Sequence, residues 1–315
     1  MFQLRTVLGD SPATQIDRVL PHEHLFCDFS RVTGDRNHIL NDPHVARLEL
    51  SAFHQAVPPA QGKQHAIVDV TLPDFGRNPE ELVRIARDCG VAVVMGTGWY
   101  RSPFYPQAIA RTSTQDLADA MVLEITDGVS LADGTTARAG VIGEIGADLD
   151  VVDPAEERVL RAAGRASIQT GAAVTTHAFL YPVGKQQLDI LEEEGVDPSF
   201  VAIGHADSYL DARYHRELLN RGAWLQFDTC GRNHILPDEL RAEALVRLLD
   251  EGWASRLLIS SDRCHRSDLL QYGGAGYAWT WTGFAQLLRD LGVDDATWDQ
   301  LTRTNPLEML GRVRD

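Results

Sequence analysis

HAIVDVTLPDFGRNPEELVRIARDCGVAVVMGTG, residues 65–98, reads as two short apolar strands joined by one amphipathic helix. His65–Thr71 and Val91–Gly98 are nearly unbroken apolar runs, the pattern of strands buried on both faces. Between them Asn78 stands where a helix cap is wanted, with Pro79 in the first turn. Leu82, Ile85, Ala86 and Cys89 share one helical face, and Gly90 stops it. The segment is therefore a strand, a helix and a second strand whose faces helices must cover.

The same alternation recurs on both sides. Further strands are expected at Arg18–Leu25, Gly140–Gly146, Ala172–Ala178, Val201–Asp207, Ala223–Thr229 and Leu257–Asp262, which makes eight in all. Helical periodicity fills Pro154–Thr170, Gln186–Glu194, Tyr209–Asn220, Pro237–Asp250 and Gly283–Leu291, and a last helix is expected near Ala296–Gly311. Eight β/α units with no linker-like break predict a TIM (β/α)8 barrel in which residues 1–315 form one domain. A doubly wound open sheet is the alternative. The gap from Asp28 to Gln64 leaves room for an extra loop or small helix over the barrel mouth.

Composition narrows the function classes. With 315 residues, 44% hydrophobic and 23% charged, the chain has the balance of a globular protein with a sizeable core. A net charge of -16 repels phosphate backbones and anionic headgroups, so neither nucleic acid nor a membrane surface is an expected partner. The four cysteines are scattered without a CxxC pair, which fits a reducing compartment, and the cytosol is expected. The N-terminal stretch has no cationic start followed by an apolar run, and no apolar run reaches membrane-spanning length. The only lysines are Lys63 and Lys185.

Barrel chemistry gathers at the C-terminal ends of strands. Strand one ends Pro21-His22-Glu23-His24, and residues two apart in a strand project to one side, so His22 and His24 face the axis while Glu23 points away. Glu144, His177, His205 and Asp262 stand at the ends of strands four, five, six and eight. A lone strand histidine is more often a hydrogen-bonded core residue than a ligand. Four imidazoles and two carboxylates converging on one axis are different, because without cations they would leave buried charge uncompensated. Six ligands exceed the tetrahedral set of one structural zinc and suit two divalent ions bridged by a carboxylate. Zinc, manganese, iron and cobalt all accept such donors. Most of the other histidines (His38, His44, His54, His65, His215, His234, His265) are expected at the surface, with His265 the one to reach the pocket. No GxSxG elbow or P-loop occurs, and Cys27, Cys230 and Cys264 read as buried or rim thiols.

These motifs resemble the phosphotriesterase-like group of the amidohydrolase superfamily. The likeness runs through HxH on strand one, GEIGAD from Gly143, TTH at 175–177, IGHAD from Ile203, Gln226-Phe227-Asp228-Thr229, Gly231-Arg232-Asn233, the strand-eight Asp262, Tyr272-Gly273-Gly274 and Asn305-Pro306. It implies that His22, His24 and Asp262 hold a buried metal, that His177 and His205 hold a more exposed one, and that Glu144 bridges them. In the organophosphate hydrolases of the group the bridge is a carboxylated lysine; no lysine lies between Lys63 and Lys185, so the chain resembles the glutamate-bridged, phosphotriesterase homology branch.

The resemblance implies a hydrolase with two divalent ions, zinc expected first and manganese, cobalt or iron as alternatives. A bridging hydroxide is the expected nucleophile, with Asp262 shuttling its proton. The expected substrate is a small molecule: a carboxylic ester, first of all a lactone, then an N-acyl amide, with phosphotriesters third. A barrel that keeps its metals and binds a ligand without turnover is the alternative of another class. Tyr100 resembles the tyrosine that orients lactones in relatives, and Arg232, Arg263 and His265 are the remaining candidate substrate contacts. Trp99, Asp207 and Arg266 stand in the same loops, Trp279 and Trp281 are a lid or core, and a homodimer is common in the group.

Overall fold

In the computed structural model, which describes residues 3–314, eight parallel strands lie side by side in chain order. They are β1 Ile16–Glu23, β2 Gln64–Asp69, β3 Ala92–Thr97, β4 Ala139–Gly146, β5 Val174–His177, β6 Val201–Gly204, β7 Trp224–Phe227 and β8 Leu257–Ile259. The seam between β8 and β1 is closed by single bonds. His22 N–H donates to Ser260 Oγ at 3.1 Å, and Asp262 N–H donates to the His22 carbonyl at 3.2 Å. The result is a TIM barrel, and the seam ties two of the expected ligands directly together.

Each strand feeds one covering helix: α1 Pro43–Ala56, α2 Pro79–Cys89, α3 Thr114–Thr126, α4 Pro154–Thr170, α5 Gly184–Glu193, α6 Ala212–Arg221, α7 Asp238–Asp250 and α8 Gly283–Asp290. Five of them begin on Asp, Asn or Ser side chains that accept first-turn N–H groups, namely Asp42, Asn78, Ser113, Asp153 and Asp211. Each such cap is worth about 1 kcal/mol. Alternation splits the core in two. Ala66, Val68 and Val70 of β2 and its end join Ala92, Val94, Val141 and Trp224 in the inner layer, while Ile67 and Val93 pack outward against the helices. A C-terminal helical segment, Asp295–Leu310 with a π turn over Gln300–Thr304, adds Leu307, Met309 and Leu310 to the inner layer at the end where β1 begins.

The Asp28–Gln64 gap holds the expected small helix at the mouth, Ser30–Thr33, whose Thr33 lines the cavity above the barrel. Three features go beyond or against expectation. The same gap also contains the regular helix α1, of 14 residues, preceded by a small antiparallel pair Cys27–Asp28 with Ile39–Leu40. Helix α3 was not anticipated. Strands six and eight end sooner than expected, at Gly204 and Ile259, and the chain then turns into the left-handed region at His205 (φ 56°) and Asp262 (φ 47°). Those two residues present their side chains from turns, a conformation that costs about 1–3 kcal/mol in an ordinary L residue and is held by its surroundings.

Candidate metal centre

Six side chains meet at the upper end of the barrel. Glu144 lies at the middle: Oε1 is 3.3 Å from His24 Nε2, and Oε2 is 2.9 Å from His177 Nδ1, 3.3 Å from His205 Nε2 and 3.5 Å from His22 Nε2. Gly143 allows this placement, since its φ of 115° favours glycine and a Cβ there would stand 2.1 Å from the Thr175 carbonyl oxygen. Asp262 Oδ1 reaches His24 Nε2 at 3.2 Å and His22 Nε2 at 3.9 Å, and its Oδ2 pairs with Arg232. His205 Nε2 and His177 Nδ1 are 2.7 Å apart.

Two features fit this constellation to cations. Donors sharing one ion at about 2.0–2.2 Å stand roughly 3–3.5 Å from each other, which is the spacing of most of these pairs. His22 Nε2 and His24 Nε2 are buried and aimed at Glu144 with no hydrogen-bond partner among the described residues. His22, His24, Asp262 and one side of Glu144 would hold a deep ion, and His177, His205 and the other side of Glu144 an ion nearer the pocket.

The outer contacts orient the rings. Asp228 Oδ1 is 2.8 Å from His205 Nδ1, Asp228 Oδ2 is 3.2 Å from His22 Nδ1, and Thr71 Oγ1 is 2.9 Å from His24 Nδ1. Asp228 is in turn placed by Asp207, whose carboxylate accepts the backbone N–H groups of Asp228 and Thr229 and the Arg241 Nε–H. Asp228 and Thr71 were not singled out from sequence as orienting groups; Asp228, two residues past Gln226 at the end of β7, repeats the strand-end signal that marked the candidate ligands.

Electrostatics follow from burial plus these pairings. Burial works to lower His24 and His205, but Asp262 and Glu144 raise His24 to about 9, and Asp228 raises His205 to about 10. His22 is raised likewise by Asp228 and Glu144 against its burial. Burial and the adjacent His205 push His177 down to about 4. Burial would raise Asp262, yet Arg232 and the imidazoles hold it well below the usual carboxylate range. The carboxylates therefore favour positive charge at this point, carried by protons or by divalent ions.

A cavity of about 300 Å³ opens above the cage. Tyr100, Arg232 and His265 line it, as do Arg101, Phe29, Phe179 and His38, which sequence reasoning did not assign to the pocket. Arg263 does not: its guanidinium is buried against the carbonyls of Gly276 and Cys230. Arg266 bonds the Ile39 carbonyl, and Asp207 serves the Asp228 loop. Trp279 donates to Asp238, and Trp281 packs on Phe53 and His65, so neither is a lid. Glu23 points away from the cage as expected but is buried, accepting from Ser261 N–H and Arg263 N–H. His65 and His215, expected at the surface, are buried with hydrogen bonds to the Val57 and Ala206 carbonyls, because each lies on the apolar side of its element.

Comparison with known proteins adds to this geometry. A model of the phosphotriesterase family matches residues 2–310. The chain belongs to this family. It is 37% identical over 290 residues to the phosphotriesterase homology protein of Escherichia coli, covering 91% of this chain and 95% of that one. The crystal structure of that relative, with phosphate in its active site, superposes with a TM-score of 0.88 over 94% of this chain and 99% of that chain, at 34% identity. The N-acetyltaurine hydrolase of Rattus norvegicus is 29% identical over 98% of this chain and 97% of its own length. The aryldialkylphosphatase of Saccharolobus solfataricus is 30% identical over 78% of this chain and 76% of its own. The family is one of binuclear metal hydrolases, and this member is a metal-dependent hydrolase, which sets aside the barrel that binds without turnover. Among the described residues no helix is long and apolar enough to cross a membrane.

Proposed function

We propose that this phosphotriesterase-family hydrolase opens small lactones, using two divalent ions, zinc first, held by His22, His24, Glu144, His177, His205 and Asp262. The observation that carries the proposal is the wall beside the cage. Tyr100 is buried among Phe29, Phe75 and Phe104, and its hydroxyl lies 3.2 Å from His177 Nδ1. A phenol donor beside the apolar cavity faces of Phe29 and Phe179 suits a ring ester whose oxygens need orientation and whose carbons need an apolar bed.

When bound, the ions polarise a carbonyl and lower the pKa of coordinated water from about 15.7 towards 7. Side chains do the rest. Asp262 has Oδ2 fixed by Arg232 and turns Oδ1 towards the cage, so it accepts the proton of the attacking water and hands it to the leaving oxygen. Tyr100 donates to the substrate oxygen nearest His177. Phe29 and Phe179 add apolar surface beside these groups, where polar contacts are screened less than in bulk water.

N-acyl amide hydrolysis is the second reading, favoured by the likeness to N-acetyltaurine hydrolase over nearly the full length of both chains. Phosphotriesters come third, because Glu144 stands where the organophosphate hydrolases have a carboxylated lysine.

The test is a panel of γ- and δ-lactones, N-acetyl amides and aryl phosphotriesters with zinc- and manganese-reconstituted enzyme. Lactones are expected to lead in kcat/KM by about tenfold or more, and Asp262→Asn to cut that rate by about 100-fold or more with the fold intact. Faster turnover of amides than of lactones would install the second reading, and turnover of phosphotriesters alone would end both.

A further inference from the structure

One corner of the cavity is built by residues outside the six proposed metal ligands. The turn Arg36–His38 and the segment after β8 are stapled together. Asn37 donates to Ser267 Oγ at 3.0 Å and accepts the Ser267 N–H at 2.9 Å, and Arg266 Nε–H donates to the Ile39 carbonyl at 2.9 Å. Asp35 caps the turn by accepting the Asn37 N–H. The staple stacks the His38 and His265 rings with centroids 4.2 Å apart and planes at 35°. Arg232 joins them, its Nη2 3.1 Å from His265 Nδ1 and its Nη1 on Asp262. All three line the cavity.

The chemistry of this corner is that of an oxyanion receptor. A guanidinium can only donate, so the contact of Arg232 with His265 engages the Nδ1 lone pair and leaves Nε2 as the ring's donor. Two imidazole rings packed together beside a guanidinium bring N–H donors and one fixed positive charge to the same corner, which suits an oxyanion. Asp268 lies behind the corner, accepting the His265 N–H at 3.0 Å and 3.5 Å from its Nδ1, and is not part of the cavity wall. Cys264, His265 and Asp268 by themselves resemble a cation site, but the Arg232 guanidinium inside the group opposes a cation there.

We infer that Arg232, His265 and His38 form a subsite for an anionic group of the substrate, a carboxylate or a sulfonate, so that the ester or amide hydrolysed carries a negative charge close to the scissile bond. The inference deepens the hydrolase reading above and rests on it for the reaction, though not for the binding of the anion. The closeness follows from Arg232 touching both Asp262 and His265: the width of one guanidinium separates the cage from the corner.

The experiment uses the metal-reconstituted full chain in two arms. In the first, inorganic sulfate and sodium acetate are titrated into wild type, His38→Gln, His265→Gln and Asn37→Ala, and binding is followed by calorimetry. The Kd is expected to rise by about tenfold in each glutamine variant, and in the same direction in Asn37→Ala, which loosens the staple without entering the pocket. The tighter anion in wild type tells the sulfonate-like from the carboxylate-like preference. Unchanged Kd values across the variants, with metal content and thermal midpoint intact, overturn the subsite. The second arm compares kcat/KM for N-acetylglycine with N-acetylglycinamide, and for a carboxylated lactone with its methyl ester. The charged member is expected to lead in wild type and the ratio to fall by about tenfold in the glutamine variants, through KM. Equal ratios in wild type and variants also overturn it. If sulfate binding depends on His38 and His265 while no ester or amide is hydrolysed, the anion subsite stands and the lactone and amide readings fall.

Discussion

Replacing Asp228 with Asn removes one charge and leaves the shape, and the structure says where the loss should be felt. The carboxylate lies 2.8 Å from His205 Nδ1 and 3.2 Å from His22 Nδ1, one ring from each of the two proposed ion positions. An amide can offer only one oxygen, so one imidazole N–H meets an NH2 group, and both rings lose the negative partner that makes them better donors. Loss of an orienting carboxylate costs about 10- to 100-fold in metal affinity, and since this one serves two ligands the upper figure is expected, about 2.7 kcal/mol. The fold should persist, because the Asn oxygen still accepts the His205 N–H that Asp228 accepts now. The assay is metal content by mass spectrometry after equilibration in zinc buffered by a chelator over several decades of free ion. A wild-type occupancy curve in Asp228→Asn would show that the carboxylate does not support the cage.

Three further outcomes follow from the same contacts. Chelation of the reconstituted enzyme should abolish hydrolysis and lower the thermal midpoint, by about 2.7 kcal/mol of linked stability at 100 times Kd of free metal, and added zinc or manganese should restore both; a midpoint indifferent to metal would count against the cage. Burial pushes His65 down to about 4 from an unfolded value of 6.5, so the unfolded chain binds the extra proton between those values. Its contribution, of order 3 kcal/mol, is therefore present above pH 6.5 and is lost as pH falls towards 4; denaturant titrations of His65→Gln should show a shallower acid decline than wild type. Arg241 is buried on Asp207 and Asp238, so Arg241→Met should destabilise the protein by about 3–5 kcal/mol by stranding the carboxylates, and a cost under 1 kcal/mol would contradict that pairing.

What could be read in the sequence was whatever repeats with a period. The strands announce themselves as apolar runs, and the candidate ligands as polar residues that end them, so the convergence of His22, His24, Glu144, His177, His205 and Asp262 at one end of the barrel was legible. Helix α3 escaped because its weakly amphipathic stretch, with Leu123 exposed, carries little of the signal that marks α2. Arg263 was misplaced for a simpler reason: residues 262 and 263 follow a strand that has already ended, and the left-handed turn at Asp262 ends the alternation that would tell which side each residue takes. His38 and Arg101 belong to loops, whose course depends on contacts such as the Asn37–Ser267 staple, 230 residues apart in the chain. No local pattern encodes such a meeting.

Charge balance ties the cage to the corner beside it. Glu144, Asp228 and Asp262 bring three carboxylates into contact with the four imidazoles, and Arg232 offsets one of them. Neutral imidazoles would then leave two negative charges in a buried space, which is a strong field for cations. Two divalent ions more than cancel it, and the excess of positive charge lies beside Arg232 and the stacked His38 and His265. Phe29, Phe179 and Tyr100 form an apolar part of the pocket wall, and a charge held against it is screened less than one on the open surface, so an anion gains more there. A neutral substrate leaves the excess in place, whereas one with a carboxylate or sulfonate relieves it when it binds, and this is the physical reason to expect discrimination by charge before discrimination by shape.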